Sequence, residues 1–319
     1  MRFRLDDLEV DVPAAQVEEA RAFYAARAGR RGPSTLAEVH EVRARTPAPV
    51  PVDPPAVEEV VEAEGARVAV RIVAPSAGPV RGAYLDVHGG GFYSGSAAQG
   101  DGRNRALADA LGVVVVGVDH RLAPEHPWPA APDDCTTAAL WLVGAARDRF
   151  GVSRLAIGGS SAGATLAMVT LLRLRDRGIV GAFAGAALQF GTYDLSGRTP
   201  AGRRIADEYF LAAYVGHVAD RTVPDVSPVF GELHGLPPVL LTVGRNDVLL
   251  EDNLVMAVRL AAAGVEVDLR VYPESPHGFT FHGPGIARTA LDGIGSWLGD
   301  RFGRDDRGPL VPRGTSRRS

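Results

Sequence analysis

The chain has 319 residues, 46% hydrophobic and 23% charged, a balance that suits a globular protein with a sizeable core and excludes a disordered or fibrous one. Its 34 Lys and Arg against 38 Asp and Glu leave a formal net charge of −4, and the basic residues are scattered singly, so nucleic acid is not an expected partner. The longest strongly apolar run, Val113 to Val118, is too short to span a bilayer, the opening MRFRLDDLEV carries acids where a signal peptide needs apolar residues, and Cys135 alone can form no intrachain disulfide, so a cytoplasmic protein without membrane attachment is expected.

Residues 1–50 read as a helical segment. Val17, Ala20, Phe23, Tyr24 and Arg27 fall at three-and-four spacing and predict a helix over Ala14 to Gly29, with Gly29 as its stop. Ser34 is the expected N-cap of a second helix carrying Leu36, Val39, His40 and Arg43. From Val57 onward strands and helices alternate. Val57 to Ala63 and Arg67 to Val73 form a hairpin pattern about Glu64 and Gly65. Ala83 to Val87, Val113 to Val118, Leu155 to Ile157, Ala182 to Gln189, Val239 to Val243 and Val265 to Tyr272 follow as strands. Helical stretches at Arg103 to Leu111, Asp133 to Phe150, Ala162 to Arg177, Asn253 to Ala263 and Ala287 to Arg301 lie between or after them. This alternation predicts an α/β fold, a mostly parallel sheet with helices on both faces, over residues 51–306. Roughly fifty residues separate Gln189 from Val239, too many for a plain connection, so residues 195–235 are read as an insertion with a helix at Arg203 to Val215. It is expected to meet the N-terminal helices and cap a pocket. Residues 310–314, LVPRG, look like an engineered protease site, and residues 307–319 are set aside as a leftover of expression.

The chemistry starts at LAIGGSS, residues 155–161, where a strand meets a helix through Gly159-Ser160-Ser161-Ala162-Gly163, a G-x-S-x-G turn that exposes its central serine. Ser160 cannot take the central place, because position 162 would then have to be Gly. One strand-helix-strand unit earlier, a strand runs into His88-Gly89-Gly90-Gly91-Phe92, and three bare glycines can bring backbone N–H groups to a carbonyl oxygen that becomes negative during attack. The N–H of Ala162, opening a helix, is aimed at the same place. A serine needs a base: His277, in the turn-rich PESPHGF loop after a strand, fits that role, with His282 as its competitor. The acid that would orient the imidazole is Asp247, just past the strand that closes at Gly244, with Asp194 as the rival; the order Ser, acid, His favours Asp247.

Taken together, HGGGF at 88–92, DHRLAPEHPWPA at 119–130, GGSSAGA at 158–164, NDVLLED at 246–252 and HGF at 277–279 resemble the hormone-sensitive lipase family of bacterial esterases, over nearly the whole chain. It departs from that pattern at Ser160, Ala164, His120 and Val248. The resemblance implies an α/β-hydrolase fold with a helical cap, hydrolysis of short-chain carboxylic esters, and no cofactor or metal. It also implies a nucleophile at Ser161, an acid at Asp247, a base at His277 and oxyanion donors at Gly89, Gly90 and Ala162. Expected pocket walls are Phe92, Tyr93, Tyr209, Phe210, Tyr214 and Phe279, with core packing as the competing reading of each. An amidase or acyltransferase on the same scaffold would use the same groups, and a small-ligand receptor of the family would have lost His277. Alternation in Val265 to Tyr272 marks a sheet-edge strand, and the family implies a homodimer through it.

Overall fold

The computed structural model describes residues 4–27 and 32–303; Gly29 and the tail from 307 lie outside them. In chain order the elements are α1 (Ala14–Ala25), α2 (Leu36–Arg45), β1 (Val57–Ala63), β2 (Ala66–Val73), β3 (Gly82–Val87), α3 (Asp101–Leu111), β4 (Val113–Asp119), α4 (Ala130–Phe150) and β5 (Leu155–Ser160). They continue as α5 (Ala162–Asp176), β6 (Phe183–Gln189), α6 (Pro200–Arg203), α7 (Tyr209–Val215), β7 (Val239–Gly244), α8 (Leu250–Ala262), β8 (Val267–Tyr272) and α9 (Gly285–Phe302). The strands form one sheet in the order β1-β2-β4-β3-β5-β6-β7-β8. β2 is antiparallel to β1 and β4, and the remaining pairs are parallel.

The run Val113–Val118 shows why such strands read as continuous apolar stretches. Val114, Val116 and Val118 face one core with α4, α5 and α8, and Val113 and Val115 face the other with α3 and α9. Burial on both faces leaves no polar alternate position, as expected of a parallel sheet between helical layers. α1 closes a third cluster against the β8 end of the sheet, which its Ala20 joins with Tyr272, Phe279 and Ile286. No helix among the described residues is long and apolar enough to cross a membrane.

Three local expectations are corrected. The N-cap of α2 is Thr35, whose side chain accepts from the Glu38 N–H, while Ser34 donates both its backbone N–H and its hydroxyl to the Glu38 carboxylate. Adjacent hydroxyl residues compete for a cap, and the acid at the third helical position selected the second. The insertion helix expected at Arg203 to Val215 is broken into α6, started by the Thr199 cap and Pro200, and α7. Strand β8 is at the sheet edge, but Val267, Asp268, Leu269 and Arg270 are all half-buried, so the alternation does not divide a buried face from an open one. Arg270 lies against α9 and donates to the Gly293 carbonyl, which covers the charged side.

Candidate active site

The turn between β5 and α5 carries Ser161 at φ 53° and ψ −123°, a conformation rare outside glycine. It exists because the flanking glycines let backbones meet: a Cβ on Gly159 would stand 2.5 Å from the Val87 carbonyl oxygen, and one on Gly163 would collide with the same oxygen. Only bare α-carbons allow β3, β5 and α5 this approach.

Two loops at the same end of the sheet complete the cluster. After β7, Asp247 folds back so that its N–H donates to the Gly244 carbonyl, and its Oδ1 accepts from the Leu249 N–H at 2.8 Å. After β8, the loop carrying His277 is tied to the first loop, the Asn246 N–H donating to the Ser275 carbonyl at 3.0 Å. His277 Nε2 is 2.9 Å from Ser161 Oγ, and its Nδ1 is 3.1 Å from both oxygens of Asp247. The Asp247 carboxylate is fully buried and the imidazole is 37% exposed, so one side of the ring is held in protein and the other opens to the cleft. Phe190, buried and T-shaped to the ring at 5.1 Å, fixes its tilt.

The rivals are occupied elsewhere. Asp194 is buried, and its two oxygens accept from the N–H and hydroxyl groups of Ser196 and Thr199. Burial alone would raise its pKa, but these four hydrogen bonds outweigh burial and hold it below the usual carboxylate value. His282 lies 3.1 Å from the Tyr24 hydroxyl and packs on Phe23 and Tyr24 of α1; burial, helped by Arg27, lowers its pKa.

The glycine loop is shaped by a pair of buried histidines. His88 and His120 stack at 4.0 Å, and burial, reinforced by His120 and Arg103 against the Gly89 hydrogen bond, pushes the His88 pKa well below its ordinary value, so the ring is neutral. Its Nδ1 is 2.8 Å from the Gly89 carbonyl, and with that nitrogen protonated Nε2 carries only a lone pair, which has no partner. A trans peptide points its N–H opposite to its carbonyl, so fixing the Gly89 carbonyl also fixes the direction of the Gly90 N–H. The Gly90 carbonyl is held in turn by Tyr93 and Ser94 N–H groups and by the Ser94 hydroxyl. Ala162 is the first residue of α5, so its N–H has no acceptor within the helix.

A cleft of about 890 Å³ is bordered by Ser161, His277, Gly89, Gly90, Tyr93 and Phe210. Other expected walls lie elsewhere. Phe92 is 1% exposed and stacks face to face on Tyr214 of α7 at 4.0 Å, and Phe279 is fully buried against Tyr272 and Phe190. Tyr209 borders a separate groove between α2 and the insertion. Phe92, Tyr214 and Phe279, all buried and not walls of the cleft, join the glycine loop, the insertion and the histidine loop to the core. Arg103, Leu291 and Phe281 also border the cleft and were not expected there, since nothing in their spacing distinguishes them from ordinary helix and loop residues.

Carboxylesterase NlhH of Mycobacterium tuberculosis is 34% identical to this chain over 205 residues, 60% of this chain and 64% of that enzyme. The ethyl acetate hydrolase of Pseudomonas putida is 34% identical over 209 residues, 62% of this chain and 65% of the relative. The aligned part thus spans just under two thirds of either relative's length. A crystal structure of a hormone-sensitive lipase from a metagenome library superposes with a TM-score of 0.72 at 28% identity, covering 92% of this chain and all of the other. Residues 84–281, which include the glycine loop, the serine turn and the acid and histidine loops, match the family model described as the alpha/beta hydrolase fold, and the chain belongs to that family, in its hormone-sensitive-lipase-like branch.

Proposed function

We propose that the protein hydrolyses carboxylic esters with short acyl chains through an acyl-enzyme on Ser161. The observation that carries this reading is the unbroken path from Ser161 Oγ to His277 Nε2 at 2.9 Å and from Nδ1 to Asp247 at 3.1 Å. Asp247 accepts a hydrogen bond from Nδ1–H and so keeps the proton on that nitrogen, which leaves a lone pair on Nε2 facing the serine. As Oγ attacks the ester carbonyl carbon, Nε2 takes its proton, and the buried carboxylate stabilises the imidazolium that results. The carbonyl oxygen becomes an oxyanion that the N–H groups of Gly89, Gly90 and Ala162 receive. Collapse breaks the bond to the alkoxy oxygen, which leaves with the proton from Nε2 as the alcohol. Water then repeats the sequence on the acyl-enzyme: Nε2 takes its proton, the acid is released and Oγ is reprotonated.

The short-chain preference rests on Tyr93 and Phe210, aromatic walls beside the glycine loop, on the helical cap segment and insertion around them, and on the acetyl ester named for the Pseudomonas relative. Acyl groups of roughly eight carbons or fewer suit a site of this kind. The test is turnover of nitrophenyl esters of increasing acyl length, with an organophosphate label located by mass spectrometry. Label on Ser161 with turnover falling beyond that length is the expected result; label on Ser160, or faster turnover of long-chain emulsions, would overturn the respective part.

A further inference from the structure

Arg103, the third residue of α3, borders the same cleft as Ser161 and His277. Among the described residues it enters no ion pair and no hydrogen bond, whereas the partly buried Arg71 and Arg173 hold Asp101 and Asp225. Its position is not one that helix stability favours. A cation in the first turn meets the positive end of the helix dipole, and the acid suited to that end, Asp101, is already engaged by Arg71.

What Arg103 does contact is Phe281, whose ring centroid lies 4.3 Å from the guanidinium carbon. Because Arg103 makes no hydrogen bond among the described residues, its N–H donors are available to a carboxylate in a bidentate pair. Asp86 is the acid whose field reaches Arg103, but its Oδ2 takes the Asn104 amide at 3.2 Å, and burial raises its pKa against the pull of both neighbours. The cleft, at about 890 Å³, is far larger than the reacting ester group needs, so a substituent extending from the serine has room to reach this cation.

We infer that Arg103 anchors a carboxylate carried by the substrate away from the scissile bond, so that the preferred substrates are monoanionic esters. The carboxylate belongs either to the acyl part, as in a half-ester of a dicarboxylic acid, or to the alcohol part. This rests on the ester-hydrolase reading, and the experiment separates the two. Monoethyl glutarate against ethyl valerate tests the acyl side, and 4-acetoxybenzoate against 4-methylphenyl acetate tests the alcohol side, each by the ratio of kcat/KM for the anionic to the neutral ester. In Arg103→Gln the ratio falls at least tenfold for one pair, mainly through KM, and that pair identifies the side. Arg103→Lys, a point charge without the planar fork, retains part of it and serves where the Gln variant folds poorly. Glutarate binding by calorimetry gives a readout independent of turnover, with affinity lost in Arg103→Gln. Unchanged ratios for both pairs, or equal glutarate affinity in wild type and variant, overturn the anchor. Absence of turnover of all four esters, anionic and neutral, beside an intact difference in glutarate affinity sinks the ester reading and supports the anchor.

Discussion

The backbone N–H of Ser161 donates to the Gln189 carbonyl at 2.8 Å, so β6 holds the serine in its positive-φ turn from outside the turn itself. A non-glycine residue held this way stores roughly 1–3 kcal/mol of strain, which neighbouring structure must offset.

Activity and stability are therefore expected to move apart at this position. Ser161→Ala removes ester turnover with the fold kept. Ser161→Gly also removes it, yet raises the denaturation midpoint by an amount equivalent to about 1 kcal/mol, because the strain is relieved. Ser160→Ala keeps substantial turnover, since that residue is 4% exposed and does not border the cleft. Chemical denaturation and nitrophenyl acetate turnover of the three variants check this; a lower midpoint for the glycine variant would mean the turn is unstrained.

His88 is expected to act on turnover through the glycine loop. His88→Ala frees the Gly89 carbonyl and with it the direction of the Gly90 N–H. Loss of alignment of one oxyanion donor lowers kcat by about 10²-fold, with a smaller change in KM. Steady-state kinetics on a short nitrophenyl ester would decide it, and an unchanged kcat would detach His88 from the donors.

How far the sequence could be read depends on how local each signal is. The turn at 159–163 was legible because Gly159 and Gly163 answer steric demands of the turn around Ser161, and the strands were legible because burial on both faces leaves unbroken apolar runs such as Val113–Val118. Aromatic residues were not separable into wall and core. Phe92 and Tyr93 are neighbours in one loop, and the positive φ of 63° at Phe92, invisible in composition, turns the first inward onto Tyr214 while the second borders the cleft. Arg103 could not be found either, because its placement depends on Phe281, far away in the chain.

Asp252 gives a pH dependence of stability. It is 1% exposed, its Oδ2 accepts the Tyr193 and Asp194 N–H groups, and burial raises its pKa to about 7 against those two bonds. The folded state thus holds this proton more tightly than the unfolded chain, whose carboxyl titrates near 3.8. Stability contributed by this site is intact below pH 4, falls as pH rises to about 7 and is flat beyond, a loss of up to about 4 kcal/mol by linkage. Asp252→Asn mimics the protonated form and keeps an oxygen for both N–H groups. Its melting temperature relative to wild type is expected to rise steadily from pH 4 to 7; a constant difference across that range would show that Asp252 does not titrate there.

The same reasoning separates the two acids that follow sheet strands. Asp247 touches His277 and, in the proposed reaction, fixes which imidazole nitrogen carries the proton, so Asp247→Asn, which can present an N–H in place of an acceptor, is expected to lower turnover by about 10⁴-fold with little change in KM. Asp194 touches no member of that path, but it collects four hydrogen bonds from Ser196 and Thr199 and organises the entry to α6. Asp194→Asn replaces one acceptor oxygen by a donor facing donors, a buried mismatch that costs on the order of 1–3 kcal/mol of stability. Its effect on turnover is far smaller, roughly tenfold, through loss of positioning in the insertion. Their pH behaviour differs as well. Because hydrogen bonding holds the Asp194 pKa below its ordinary value, its contribution is present above the unfolded carboxylate pKa and is lost on acidification through the folded one. The melting difference between wild type and Asp194→Asn therefore shrinks below about pH 4. Turnover, KM and melting curves for both variants across pH 3 to 8 provide the check, and a large turnover loss in Asp194→Asn beside a mild one in Asp247→Asn would exchange their roles.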